Sequence, residues 1–381
     1  MQEWKLEKYN EFECIGTNCP WTCCGRWKIF IDDASLERYD AIPGEFGDEV
    51  RNTVGYDVLG NAFIKLSEDD LCTLLNEKRL CRICLEAGES NMCGTCQKYP
   101  RGEYIFGDIY LKYVCISCPE VVRILFESKE PLRLISEENN SVSISTDETF
   151  KWNRLEMLKD GLRKSIELIQ LRSIPLHTRL QLLLLFNDEY TKGLKAGRKV
   201  DGIIDAFSDE TYIQKMCSGL ANIPSNSNKL SRFVMEFNKH IWNQKSHSMK
   251  YLTEHMLKAV DEFKRADLAN VSLAEFFDRE ENSVHFENLC VYYIMRHYLE
   301  SYNDTNPGAV IEEMVRFCAF YAWLFGIYGE ERSLETKTVI VAIPSRTTEH
   351  CALYSSEYDA VFRIMKNQGI GNLEYLVSML A

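Results

Sequence analysis

From Leu155 onward, apolar residues recur at three- and four-residue steps. Leu155, Leu158, Leu162, Ile166 and Ile169 fall on one stripe of a helix. The same spacing predicts helices over Leu176–Leu194, Asp205–Leu220, Lys229–Asn243, Leu252–Ala266, Phe286–Tyr302, Ala309–Ile327, Leu334–Ile343 and Ser356–Lys366. Breakers separate them at Pro175, Pro224, Pro307, Pro344 and Gly369. Residues 1–135 follow another rule. Helical periodicity is weak there, Gly and Pro punctuate the chain, and only Trp27–Ile31 and Ala62–Leu66 read as short strands. One helix start stands out: Ser117 and Glu120 fit a capping box ahead of an apolar run, with Cys118 in the first turn. The polar stretch Ser136–Thr149 reads as a linker. The fold class is therefore mainly α, with an irregular Cys-rich metal-binding domain carrying short strands (residues 1–135) followed by an α-helical domain (residues 150–381).

At 381 residues the chain is long enough for two cores. The opening MQEWKLEKY lacks the apolar stretch of a signal peptide, and the longest apolar run, Phe317–Tyr328, is too short to span a bilayer. A cytoplasmic protein is expected, with peripheral membrane attachment left open and oligomeric state unspecified. The net charge is −13, and residues 1–120 carry 13 basic against 21 acidic side chains. An acidic surface repels phosphate, so nucleic acid is not an expected partner, whereas a lysine-bearing protein suits it.

Cysteine usage changes the picture most. Eleven of the 15 cysteines, and none of the seven histidines, lie in the first 118 residues. Cys14, Cys19, Cys23 and Cys24 form one block; Cys72, Cys81, Cys84, Cys93, Cys96, Cys115 and Cys118 form another. In a reducing compartment such density favours metal over disulfides. Without nearby imidazole, the metal is zinc in an all-sulfur site or an iron–sulfur cluster. Adjacent Cys23 and Cys24 point different ways in most backbone conformations and can serve two sites. The isolated Cys217, Cys290, Cys318 and Cys351 fall on or near helices and read as core. No Gly-rich dinucleotide loop follows a strand; Gly55 and Gly60 make only a weak pair. On a helix, Arg346 and His350 share a face and can hold a carboxylate. Arg101, just after Cys96, can steer an anion or pair with Glu103 or Glu89. Asp188-Glu189 and Glu312-Glu313 read as solvated faces.

Three segments resemble the flagellin lysine-N-methylase family, within the wider CxxCxxCC-type zinc- or iron-chelating proteins. They are Phe12–Asp32 (FECIGTNCPWTCCGRWKIFID), Leu71–Arg101 (LCTLLNEKRLCRICLEAGESNMCGTCQKYPR) and Ile116–Phe126 (ISCPEVVRILF). A weaker likeness covers Ile343–Tyr354, IPSRTTEHCALY. The resemblance implies methyl transfer from S-adenosylmethionine to lysine ε-amines of flagellin, with a [4Fe–4S] cluster. Carried over, the motif names Cys14, Cys19, Cys23, Cys24, Cys72, Cys81, Cys96 and Cys118 as metal ligands, with Cys84, Cys93 and Cys115 as additions. It lends weight to Arg101, Arg346 and His350 as cofactor-binding residues and designates no catalytic residue. Two rivals stand beside it: a non-catalytic, zinc-stapled protein-interaction module, and an iron–sulfur redox or metal-handling protein.

Overall fold

The computed structural model describes residues 1–25, 27–140, 150–224, 227–242, 272–327, 333–350 and 352–381. A four-stranded sheet, in the order β4-β5-β1-β6, assembles from β1 (Gln2–Leu6), β4 (Arg101–Phe106), β5 (Ile109–Val114) and β6 (Leu134–Glu138). β1 runs parallel to β5 and antiparallel to β6, and β4–β5 is a hairpin. Trp4 and Leu6 of β1 and Ile109 and Leu111 of β5 are buried in the helical core. Their alternation with polar neighbours is the period-two signature of a one-sided sheet, over strands too short to stand out in the sequence. Ser136–Glu138, read as linker, pairs with Trp4–Gln2 instead; the exposed polar half of β6 (LISEE) supplies a solvated edge. A second hairpin joins β2 (Val54–Tyr56) to β3 (Ala62–Ile64). Trp27–Ile31 forms no strand, contributing a single bridge from Phe30 to Phe63.

Helices α1 (Asp33–Asp40), α2 (Gly44–Thr53) and α3 (Gly94–Lys98) flank the second hairpin, and α4 (Pro119–Glu127) leads from the sheet into the helical layer. That layer holds α5 (Trp152–Ile169), α6 (Leu176–Lys195), α7 (Asp201–Ala206), α8 (Glu210–Leu220), α9 (Ser227–Trp242), α10 (Leu273–Phe277), α11 (Glu280–His297), α12 (Pro307–Ile327), α13 (Leu334–His350), α14 (Ala352–Asn367) and α15 (Leu373–Leu380). The fold is mainly α, as its apolar periodicity predicts. The expected helix Asp205–Leu220 is two, because the Asp209 carboxylate accepts the Tyr212 amide at 2.8 Å and starts α8 afresh. Leu252–Ala266 lies outside the described residues. α13 does not stop at Ile343 but runs through Pro344 to His350. The proline forfeits the hydrogen bond to the Ile340 carbonyl, and burial of Val341, Ala342, Ser345 and Arg346 holds the helix together across it.

The apolar interior has two parts. The larger joins α4–α15 to β1 and β5. The smaller gathers Ile29, Ile31, Tyr39, Ile42, Val50, Ala62, Ile64, Leu74 and Ile83 with Cys72 and Cys93. The thiols sit where the two approach one another.

Candidate metal centre

Block one has little regular structure, so its course is set by contacts. The Gly25 backbone bridges to Leu71, and the Cys72 amide donates to the Cys24 carbonyl at 2.8 Å. A Cβ on Gly25 would lie 2.6 Å from the Asp70 carbonyl oxygen, so only glycine lets the two cysteine blocks meet here. In block two, Asp32 caps α1 through the Ser35 amide (2.9 Å) and also accepts the Gly94 amide (3.0 Å). This docks the start of α3, which carries Cys93 at its cap and Cys96 in its only turn.

The result is a cavity of about 50 Å³ lined by Cys23, Cys24, Cys72, Cys81, Cys93 and Cys96, together with Trp27, Tyr39, Tyr99 and aliphatic side chains. Burial pushes the Cys72 thiol up to about 11 and raises Cys81 as well. The Cys23 and Cys24 sulfurs are 3.9 Å apart, and their hydrogen bond holds Cys23 down and Cys24 up; Cys93 and Cys96 divide in the same way. Several thiolates cannot coexist in so apolar a space without a cation among them. A soft, multiply charged centre offsets that cost, so the donor set fits iron–sulfur or zinc.

Of the eight ligands expected from the motif, five line this cavity: Cys23, Cys24, Cys72, Cys81 and Cys96. Cys14, Cys19 and Cys118 do not. Cys19 lies within electrostatic reach of Cys23 and Cys14, and Cys118 within reach of Cys19 and Cys23. Cys93, an addition to the motif, lines the cavity; its C-x2-C spacing with Cys96 was the signal. Cys84 is not among the lining residues, and buried Cys115 sits beside Glu349. Cys290 and Cys318 are core, their sulfurs 3.6 Å apart; Cys217 is half-buried, and Cys351 lies outside the described residues.

The capping box at α4 does not form. Cys118 is the cap residue, its thiol lying near the Glu120 and Val121 amides without a capping bond of ordinary geometry, while Ser117, one residue earlier, turns into the protein. The Ser117 hydroxyl is 2.7 Å from His350 Nε2 and 3.1 Å from the Tyr99 hydroxyl. Burial pushes the Cys118 thiol up to about 12, outweighing the Val121 and Glu120 amides that favour its thiolate. Glu120 instead pairs with Arg123.

α13 carries the other half of the site. Arg346 donates to the carbonyls of Thr22 (2.9 Å), Gly25 (3.3 Å) and Ser117 (3.4 Å), bracketing Cys23-Cys24 and reaching the segment between Cys115 and Cys118. His350 packs against Trp27 and Tyr99, with ring centroids 5.0 and 5.6 Å away. Burial, then the charges of Arg346 and Arg296, lower its pKa to about 4, so the imidazole is neutral at pH 7. Both residues do share a face, but Arg346 is committed to backbone oxygens. Arg101 donates to the Phe12 carbonyl at 2.9 Å and lies over the Phe12 ring, anchoring the approach to Cys14; neither Glu103 nor Glu89 is its partner in an ion pair. Glu349 accepts the Tyr292 hydroxyl at 2.7 Å on Oε1, and burial raises its pKa. The sequence offered no sign of Tyr39, Trp27 and Tyr292 as neighbours of this site, since each is one aromatic among many.

Comparison with known proteins places this arrangement in context. The flagellar biosynthetic protein FliU of Salmonella muenchen is 28% identical over 132 residues, covering 32% of this chain and 76% of FliU. Proteins named lysine-N-methylase from Salmonella typhimurium and Salmonella choleraesuis are 28% identical over 132 residues, covering 32% of this chain and 32% of their own length. The match thus spans about a third of those methylases. No solved structure matches the chain. The family model described as the FliB lysine N-methylase C-terminal domain matches residues 163–379, a span that includes Arg346, Glu349 and His350 and excludes both cysteine blocks. Because that match extends over more than half of the chain, the protein belongs to the FliB lysine N-methylase family.

Proposed function

We propose that this chain is an S-adenosylmethionine-dependent protein-lysine N-methyltransferase acting on flagellin, with a [4Fe–4S] cluster held by four of the thiols around the cavity. Convergence of both cysteine blocks on that cavity, bound to the family's helical domain through Arg346, carries the reading. Relatives named lysine-N-methylase and a flagellar biosynthetic protein support the reaction and the substrate.

Bound S-adenosylmethionine supplies an electrophilic methyl group, and the cluster supplies an iron centre at the thiol cavity. The chain's own residues do the rest. Arg346 positions the loops bearing Cys23, Cys24 and Cys118 by gripping their backbone oxygens, and it does so from a helix, which is stiffer than those loops. Neutral His350 and the raised Tyr99 hydroxyl add no charge beside the thiols, whereas the Arg346 guanidinium favours the Cys23 thiolate. Trp27 and Tyr99 line the cavity and restrict water. A lysine ammonium has no lone pair, so its nitrogen must surrender a proton before it can accept a methyl group.

Anaerobic purification and cluster reconstitution, followed by incubation with flagellin and methyl-labelled S-adenosylmethionine, tests the proposal. Brown protein with broad absorbance near ~400 nm and label on flagellin lysines is expected. Cluster-loaded protein that transfers no label refutes the methyltransferase. Colourless protein carrying stoichiometric zinc refutes the cluster and leaves the metal a structural staple. Iron with redox activity but no methyl transfer points to the metal-handling alternative.

A further inference from the structure

A second cavity, of about 250 Å³, lies between α11, α12 and α13. Its walls include Tyr293, Phe317 and Tyr321, and three carboxylates line it: Glu300, Glu313 and Glu349. Among the described residues that line it there is no lysine or arginine. Glu300 is partly exposed and pairs with Arg296 and His297. Glu313 accepts a hydrogen bond from Tyr293. Glu349 differs from both. It is half-buried: Oε1 takes the Tyr292 hydroxyl, the Cys115 thiol lies beside the carboxylate, and the buried Oε2 has no hydrogen-bond partner of good geometry. A carboxylate with one unpaired oxygen, lining a cavity with aromatic walls, suits a cation with a proton to donate.

We infer that this cavity receives the side chain of the substrate lysine, with its ε-ammonium bound by Glu349. The inference rests on the methyltransferase reading and deepens it. Size favours a side chain over a nucleoside cofactor, because drug-sized ligands occupy pockets of roughly 300–1,000 Å³. Leu289, Met314 and the rings suit four methylenes, and the carboxylates suit the charge. Placement is apt as well. Glu349, Cys115 and His350 bring their polar atoms within 4.8 Å of one another, and the His350 ring abuts Trp27 and Tyr99 of the thiol cavity. The base of this cavity is thus one layer of side chains from the proposed cluster. Acidic residues at Glu300 and Glu313 draw a cation toward that base.

The test is low-affinity calorimetry on the full chain with acetyl-Ala-Lys-Ala-amide and the same peptide carrying norleucine, which keeps the methylenes and removes the charge. The lysine peptide is expected to bind at least about tenfold more tightly. Glu349→Gln should weaken lysine-peptide binding about 10- to 100-fold and leave norleucine-peptide binding unchanged. Val310→Trp, at a half-buried lining position on α12, should block both peptides without touching Glu349. Thermal melts show that each variant is folded. Equal binding of the two peptides, or lysine-peptide binding indifferent to both variants, overturns the inference. So does a Glu349→Gln variant that loses S-adenosylmethionine binding or bound metal while keeping the lysine peptide, since the carboxylate then serves the cofactor or an ion. Lysine-selective binding with no methyl transfer would instead sustain the site and sink the enzyme reading. Methyl transfer with a normal KM for lysine peptide in Glu349→Gln would do the reverse.

Discussion

Arg346 is where the helical domain holds the cysteine-rich segment, and its replacement should show how much that grip contributes. The guanidinium is buried and makes one hydrogen bond of good length to the Thr22 carbonyl (2.9 Å) and two longer ones to Gly25 (3.3 Å) and Ser117 (3.4 Å). Arg346→Met keeps much of the volume and removes every donor. The Thr22 bond, charge-assisted and buried, accounts for about 1.5–3 kcal/mol, and the two longer ones together for about 1 kcal/mol. Contact with the Trp21 ring, 5.9 Å away, adds about 0.5 kcal/mol. A loss of about 3–4 kcal/mol is expected. Arg346→Lys keeps the charge but not the fork, so it reaches one carbonyl and should lose about half as much. Urea unfolding of anaerobically handled protein measures stability; iron and zinc per chain, determined on the same samples, measure the site. Metal content should fall with stability, because the freed carbonyls flank Cys23 and Cys24. If Arg346→Met unfolds within about 0.5 kcal/mol of the parent and retains its metal, then α13 does not organise the thiols and the account of the site is wrong.

Cys96→Ser should strip metal from the cavity it lines, whereas Cys84→Ser, outside that lining, should keep it; the reverse pattern in anaerobic iron and zinc analysis would reassign the ligands. Glu287 is buried and pairs with buried Arg179 (2.6 Å) and exposed Arg172 (2.9 Å), so Glu287→Ala leaves the Arg179 cation buried and unpaired and should cost about 3–5 kcal/mol in urea unfolding. His285 stacks on Phe126, and burial lowers its pKa from 6.5 to about 4. Between those values the unfolded chain binds a proton that the folded chain refuses. Stability should therefore be intact above pH 6.5, decline as pH falls toward 4, and lose about 3 kcal/mol from this residue. Unfolding of His285→Phe across that range should show a correspondingly shallower decline, and an unchanged profile would contradict it.

What the sequence revealed follows from how far each signal reaches along the chain. Helix α5 was legible because a stripe repeating every three or four residues is a local signal, and burial of one face is what forms it; α6 and α12 are buried nearly all round and were legible as long apolar runs begun at a proline. The sheet was not, because β1 finds β5 and β6 more than 100 residues away and its five residues carry no period long enough to recognise. The cysteine blocks pointed to a candidate metal site by density alone. Their division was not announced, since Cys93 enters the cavity and Cys118 leaves it according to how α3 and α4 are docked. The same distinction explains Arg346 and His350. Spacing put them on one face, as found, but could not say that the arginine would be spent on backbone oxygens 321 to 324 residues away. A helix that tolerates Pro344 in order to carry Arg346, Glu349 and His350 to the junction of two cavities is better explained by the site than by local propensity. At such a place sequence rules are expected to fail, because tertiary contacts there override the preference of the chain to stop.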